Sequence, residues 1–183
     1  YACNERQLRI VEDILRVAQV DLDKITLHIE PTNINDLLAD IIDSQSGEFI
    51  RRKQKIVFRR TRLPLIAAVD RERFRMAIDN LVDNAGKYTV AGKTIEIHTA
   101  RLNGTKFTIS VSDQGVGISK HDQAKLFQKF SRLENPLSIE VGGNGLGLYW
   151  SKKIITLHGG DVTVSSRPGK GSKFTVKMPL TQP

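Results

Sequence analysis

One cysteine, Cys3, in 183 residues excludes two kinds of structure at once. Neither a disulfide framework nor a cysteine-based zinc cluster can form, which fits a reducing compartment. No apolar run approaches the roughly 20 residues that a helix needs to span a bilayer, and no signal peptide is visible. The expectation is a soluble, cytoplasmic piece with no membrane contact of its own, whether or not the intact protein is anchored. Two nucleotide signatures are missing as well: there is no G-x-x-x-x-G-K-[ST], and no G-x-G-x-x-G opens a helix after a strand. Aromatic residues make up only 6% of the chain, and the basic runs Arg51-Arg52-Lys53 and Arg59-Arg60 have none interleaved. Those runs read as solvated faces, not as a nucleic-acid platform, so no nucleic-acid partner is expected.

The formal charge of +8 leaves room for an anionic ligand, and 39% hydrophobic content suits one well-filled core. Glycine clusters say where that ligand belongs. Asp113-Gln-Gly-Val-Gly-Ile118 and Gly142-Gly-Asn-Gly-Leu-Gly-Leu148 stand on either side of one polar segment. Glycine lets a backbone approach a ligand closely, so this arrangement reads as a phosphate-gripping lid.

The spacing predicts a helix from Glu5 to Leu22 capped by Asn4, with Leu8, Val11, Leu15, Ala18 and Leu22 as a bundle seam. Ile10, Ile14 and Val17 form a neighbouring stripe. Because the seam starts almost at residue 1, it reads as the tail of a longer bundle helix; the competing reading packs it on its own domain. The alternating Ile25 to Ile29 predicts a strand, and Pro31-Thr32-Asn33 a stop and cap before a helix from Ile34 into Arg51 to Lys53. Lys55 to Arg60 and Ile66 to Val69 are expected to pair around Leu63-Pro64. Asp70 should cap a helix through Lys87. Strands at Thr94 to Ala100 and Phe107 to Ser112 flank Asn103-Gly104, and the second delivers Asp113. A short helix from Lys120 to Phe127, a polar lid, a helix from Gly145 to Leu157 and two strands around Pro168 to Gly171 complete the chain. The elements lack a regular βαβ rhythm. The fold class is therefore α/β: a two-layer sandwich of a mixed sheet covered on one face by helices, preceded by one bundle-type helix.

On the Asp70 to Lys87 helix, about 100° per residue puts Phe74, Ile78, Leu81 and Ala85 on one core stripe. Asn80, Asn84 and Lys87 share a second stripe at the edge of the core, while Asp79 and Asp83 point further out. An asparagine carbonyl is a hard ligand suited to Mg²⁺. The blander alternative makes the two asparagines surface amides and pairs Lys87 with Asp83. Asp113 could accept from the exocyclic amine of a base, or be only a turn former. Gly143, Gly145 and Gly147 run into a helix whose N–H groups would meet phosphate, or are simply a flexible loop.

Taken in order, these segments resemble the ATP-binding domain of sensor histidine kinases, in the GHKL superfamily with the Bergerat fold. Asn80-Leu-Val-Asp-Asn84-Ala-Gly-Lys87-Tyr88-Thr89 is similar to its N box and Asp113 to Ile118 to its first glycine box. Leu126 to Arg132 is similar to its F box, Gly143 to Leu148 to its second glycine box, and His158-Gly159-Gly160 to its closing segment. The resemblance covers roughly residues 5 to 180.

The resemblance implies that residues 1–23 are the end of a dimerisation helix with its linker and that 24–183 are the catalytic domain. It implies ATP and Mg²⁺ as cofactors, with Asn84 on the metal, Asp113 on the adenine amine and Lys87 on phosphate. Lys129 or Arg132 would reach the γ-phosphate. Asn80, Tyr88, Gly115, Gly117, Ile118, Gly143, Gly145, Leu146, Gly147, Leu148 and Ser172 complete the pocket. ATPases of the superfamily, such as DNA gyrase, place a glutamate where this chain has Asn80. An amide is no effective base, so hydrolysis should be slow and the phosphoryl group kept for a histidine. The implied partners are a phosphoacceptor helix of the same protein, homodimeric when intact, and a response regulator. None of His28, His98, His121 and His158 lies in an acceptor motif, so the acceptor is expected upstream of Tyr1. A GHKL-type ATPase and a degenerate nucleotide-binding scaffold are the alternative readings. Three departures stand out: Gly86, expected to loosen the end of its helix by ~1 kcal/mol, Asn144 in place of threonine, and the bulky Trp150.

Overall fold

The computed structural model describes residues 2–22, 25–102, 104–131 and 144–180. Helix α1 (Ala2–Asp21) is followed by β1 (Glu30–Asn33), α2 (Ile34–Arg51), β2 (Lys55–Arg59), β3 (Ile66–Val69) and α3 (Arg71–Tyr88). Strands β4 (Thr94–Leu102) and β5 (Lys106–Ser112) come next, then the short α4 (Lys120–Gln123), α5 (Gly147–Leu157), β6 (Asp161–Ser166) and β7 (Ser172–Pro179). Five strands form one sheet in the order β2-β4-β5-β7-β6, parallel at β2/β4 and antiparallel elsewhere. Helix α2 lies over β2, α3 over β5 and α5 over β6.

Alternation along the strands explains why only one face is covered. Ile95, Ile97, Phe107, Ile109, Val111, Phe174 and Val176 are buried beneath Phe74, Ile78, Leu81 and Ala85 of α3. The intervening His98, Lys173 and Lys177 are exposed. At roughly 25 cal/mol per Å² of apolar surface, this interlayer seam is the main stabilising term of the domain.

Several local expectations are overturned. The alternating Ile25 to Ile29 is irregular, and the strand starts at Glu30, pairing antiparallel with β3 in a separate two-stranded sheet. What organises the irregular segment is a helix cap: His28 N–H donates to Asp70 Oδ2 at 3.1 Å. Strands β2 and β3 do not pair with each other. Ile56 and Phe58 pack against the core, which draws β2 alongside β4, whereas β3 goes to β1. The helix expected through Phe127 ends at Gln123, after which turns let Leu126 into the core. Helix α5 begins at Gly147, not at Gly145, because Gly145 has φ +70°. The first helix begins at Ala2, so Asn4 lies inside it instead of capping it.

Helix α1 meets α5 through Val17 and Val20, which are buried. Val11, Leu15, Ala18 and Leu22 of the seam are exposed, as are Ile10 and Ile14. The docked stripe is thus not the one that the three-and-four spacing marks out.

Candidate nucleotide-binding site

The groove lies between α3, the loop after β5, and the start of α5. Helix α3 begins where Asp70 Oδ1 accepts from Arg73 N–H at 3.0 Å, satisfying a first-turn donor that the helix cannot. Burial pushes the Asp70 carboxyl up, but hydrogen bonds from Arg73 and His28 outweigh it and leave the group below its usual value.

At its other end α3 is clamped. Gln54 Nε2 donates to the Gly86 carbonyl at 2.8 Å and also to that of Thr89, while Val116 N–H donates to the Tyr88 carbonyl at 3.3 Å. Gly86 is therefore not a loose joint. A Cβ there would stand 2.8 Å from Arg52 Nη1 and 2.9 Å from Phe49 Cε1, so α2 fills the space that a side chain would take. The expected loosening is corrected by this contact.

On the intermediate stripe, Asn80 Nδ2 donates to Ser151 Oγ at 2.9 Å. Lys87 Nζ pairs with Asp83 Oδ2 at 2.6 Å, so the blander pairing is the one observed, and a phosphate would have to exchange with that carboxylate. Both partners are about one third exposed, which keeps the pair weak and the exchange easy. The Asn84 amide makes no hydrogen bond among the described residues. Asp79 faces away, its Oδ1 accepting from Gln45 Nε2 at 2.8 Å.

Strand β5 ends by presenting Asp113. Its Oδ1 accepts from Gly115 N–H at 2.8 Å and from Ser172 N–H at 3.2 Å, whereas Oδ2 makes no hydrogen bond among the described residues. Burial raises the pKa above the usual carboxylate value, against the two backbone donors. The carboxylate is partly desolvated and lacks a donor on one oxygen.

Close backbone approach explains the first glycine box. A Cβ on Gly115 would run into the Tyr88 carbonyl, and one on Gly117 (φ +69°) into the Arg167 carbonyl. Ile118 is buried, and its N–H donates to Ser166 Oγ at 2.8 Å. Ser166 Oγ lies 3.0 Å from Ser172 Oγ, so the Ser172 hydroxyl faces Ser166 while its backbone holds Asp113.

Across the groove, α5 starts with no side-chain cap and no acidic residue in its first turn. Such a helix end suits an anion. Leu146 is buried, with its N–H on Asn144 Oδ1 at 3.1 Å, and Leu148 packs against the core. Gly147 lies against Asn80, and Gly145 against the backbone of Phe130 and Ser131. Phe127 of the F box meets Phe174 edge-on, with centroids 6.5 Å apart. Lys129 Nζ sits 5.2 Å above the Tyr149 ring. The structure thus brings Asn80 and Gly147 together, and Asp113, Gly115 and Ser172. Arg132 and Gly143, like most of the polar lid, lie outside the described residues.

Gln54 and Ser151 went unmarked by the motifs. The one available signal was a serine on the face of α5 that otherwise carries Trp150, Ile154 and Ile155, and nothing local singles out Gln54. Among the described residues no three His, Cys, Asp or Glu side chains gather to hold a metal, so Asn84 and a phosphate chain would have to do so with water. Also among the described residues, no helix is long and apolar enough to cross a membrane.

Comparison with known proteins agrees with this geometry. Residues 69–182 match the family described as Histidine kinase-, DNA gyrase B-, and HSP90-like ATPase. Sensor protein GacS of Pseudomonas syringae pv. syringae is 35% identical over 94% of this chain and 20% of its own length. Sensor histidine kinase WalK of Bacillus subtilis is 32% identical over 97% of this chain and 29% of its own. The chain thus spans under a third of these relatives. Among solved structures, full-length ShkA in complex with AMPPNP superposes with a TM-score of 0.86 at 26% identity, over 97% of this chain and 36% of that one. The catalytic domain of histidine kinase ThkA, nucleotide free, gives 0.75 at 26% over 85% of this chain and all of that one. On the match of residues 69–182 and the agreement in fold with these structures, this chain belongs to the histidine kinase-, DNA gyrase B- and HSP90-like ATPase family.

Proposed function

We propose that this chain is the ATP-binding catalytic module of a two-component sensor histidine kinase, binding Mg-ATP and delivering its γ-phosphoryl group to a histidine elsewhere in the intact protein. The observation that carries this reading is Asp113, whose Oδ1 is fixed by two backbone donors while a partly desolvated Oδ2 lacks one. An exocyclic adenine amine would supply that donor.

Asn84, the stripe residue without a hydrogen bond among the described residues, would hold Mg²⁺, which neutralises phosphate charge when bound. Lys87 would leave Asp83 for phosphate, and Lys129 or Arg132 would approach the γ-phosphate. The α5 N–H groups from Gly147 onward would take the phosphate chain, with Gly143 and Gly145 shaping the turn. Tyr88, Ile118, Leu146 and Leu148 would wall the pocket. Phosphoryl transfer asks mainly for positioning and charge neutralisation, which this inventory provides.

Asn80 supports transfer over hydrolysis, because a carboxamide can orient water but cannot take its proton. The acceptor is not expected among this chain's own histidines. His158 is fully buried with Nδ1 2.7 Å from the Ile154 carbonyl, and His121 Nε2 lies 3.0 Å from Lys125 Nζ. His98 is on β4 and His28 in the irregular segment before β1. We assign 1–23 to a dimerisation helix and linker and 24–183 to the catalytic domain. The exposed Val11, Leu15 and Leu22 would be covered in a homodimer. A response regulator aspartate would then receive the phosphoryl group, and the module would work in the cytoplasm.

The test is a turnover assay with labelled ATP, alone and with an acceptor helix added in trans. Little phosphate release alone and an acid-labile phosphohistidine with the helix are expected. Steady release without acceptor would instead mark a hydrolase, and binding without either product a nucleotide-sensing scaffold.

A further inference from the structure

The Asn80 side chain is held from behind. Its Nδ2 donates to Ser151 Oγ, and Ser151 Oγ donates to the Ala77 carbonyl at 3.1 Å. Ser151 is fully buried on the second turn of α5. A serine hydroxyl has a single proton. With that proton given to a carbonyl, Ser151 can only accept from Asn80, so both bonds form only when the amide nitrogen faces it. The carboxamide lies against Gly147, where a Cβ would stand 2.6 Å from Oδ1. Residue 147 is therefore bare for a reason: a larger side chain would push Asn80 off Ser151.

We propose that Ser151 is a positioning residue for phosphoryl transfer, holding the Asn80 carboxamide with its nitrogen to the protein and its oxygen toward the start of α5. The inference rests on reading the groove as a Mg-ATP site. A free asparagine amide turns over readily and can present either two donors or an acceptor. Water bound to a cation offers only hydrogens, so the acceptor is the useful face. Fixing it before the ligand arrives removes an ordering cost from binding. The same hydroxyl bridges α3 to α5, so the helix bearing the N box and the helix following the second glycine box keep one register.

The test uses the whole chain with Ser151→Ala, Ser151→Cys, which preserves volume but offers a weak acceptor, Asn80→Ala, and the double Asn80→Ala/Ser151→Ala. Calorimetry with ATP is run with and without magnesium, and NMR follows the Asn80 side-chain amide, identified by its disappearance in Asn80→Ala. Losing one such hydrogen bond should lower Mg-ATP affinity about five- to tenfold in both serine variants and leave the magnesium-free affinity unchanged. The Asn80 amide resonances should move, and the double variant should bind no more weakly than Asn80→Ala. A folded Ser151→Cys protein that binds Mg-ATP like the parent overturns the proposal. So does an additive double variant, which would mark Ser151 as packing alone. Should the parent itself bind no ATP, the nucleotide reading falls and takes this one with it.

Discussion

His158 Nε2 accepts the backbone N–H of Asp70 at 2.9 Å, joining the C-terminal cap of α5 to the N-terminal cap of α3. Its Nδ1 lies 2.7 Å from the Ile154 carbonyl, and Phe74 meets the ring edge-on at 5.8 Å. Both ring nitrogens are thus occupied only in the neutral tautomer that carries its proton on Nδ1. The two helices bordering the groove are tied together at the end away from Asn84.

This bond sets a pH dependence. Burial lowers the His158 pKa below the ordinary histidine value of 6.5. A depressed value means that the unfolded chain binds the proton more readily, so the stabilisation is complete above about pH 6.5 and is lost as pH falls from there through the folded value. Thermal unfolding scans are expected to show Tm falling below about pH 6.5, with His158→Ala removing that slope and costing about 2 to 4 kcal/mol through a cavity and an orphaned N–H. An unchanged slope in the variant would refute the assignment.

Asp113 carries the opposite sign. Its raised pKa means the folded state holds the proton more tightly, so its contribution favours folding below the ordinary aspartate value of 3.8 and is lost as pH rises through the folded value. At neutral pH the carboxylate therefore strains the apo domain. Asp113→Asn, which keeps an oxygen for Gly115 and Ser172, is expected to raise Tm slightly while weakening ATP binding about 10- to 100-fold. Affinity of the parent should fall as pH drops through the raised pKa, with protons released on binding; calorimetry in buffers of different ionisation enthalpy measures both.

Asn84→Ala should separate metal from base. Magnesium is expected to strengthen ATP binding in the parent and to have little effect in the variant, while discrimination between ATP and GTP persists. Titrations of both nucleotides with and without the metal decide the point.

Gly86→Ala opposes two effects of similar size. Alanine gains about 1 kcal/mol of helix propensity, but its Cβ meets the Phe49 ring, which is buried and cannot swing away as Arg52 can. Overpacking typically costs about 1 to 3 kcal/mol. A net loss near 1 kcal/mol in chemical denaturation is expected, and a gain would show that α2 yields.

Patterns with a local cause were legible in the sequence. The period of α3, the capping Asn33 and Asp70, the β4/β5 pair and the two strands around Pro168 to Gly171 follow from spacing and turn chemistry within a dozen residues. Gly115, Gly117 and Gly145, where a Cβ would meet backbone, fall in the segments that the family resemblance singled out. Strand partnership was not readable. Ile66 to Val69 has the composition of a strand, but only the layer packing sends it to β1 and sends Lys55 to Arg59 to β4.

By itself, then, the sequence determined most of the helices and strands, though not all their ends, and the covered face of the sheet, because these depend on periodicity and on short-range sterics. The pairing of Lys87 with Asp83 one turn back was already among the sequence readings, but tertiary structure alone decided that Gln54 closes the end of α3 and that Ser151 turns Asn80. Each of the last two contacts joins residues 32 or more positions apart, and which donor finds which acceptor over that distance is settled only when the layers pack.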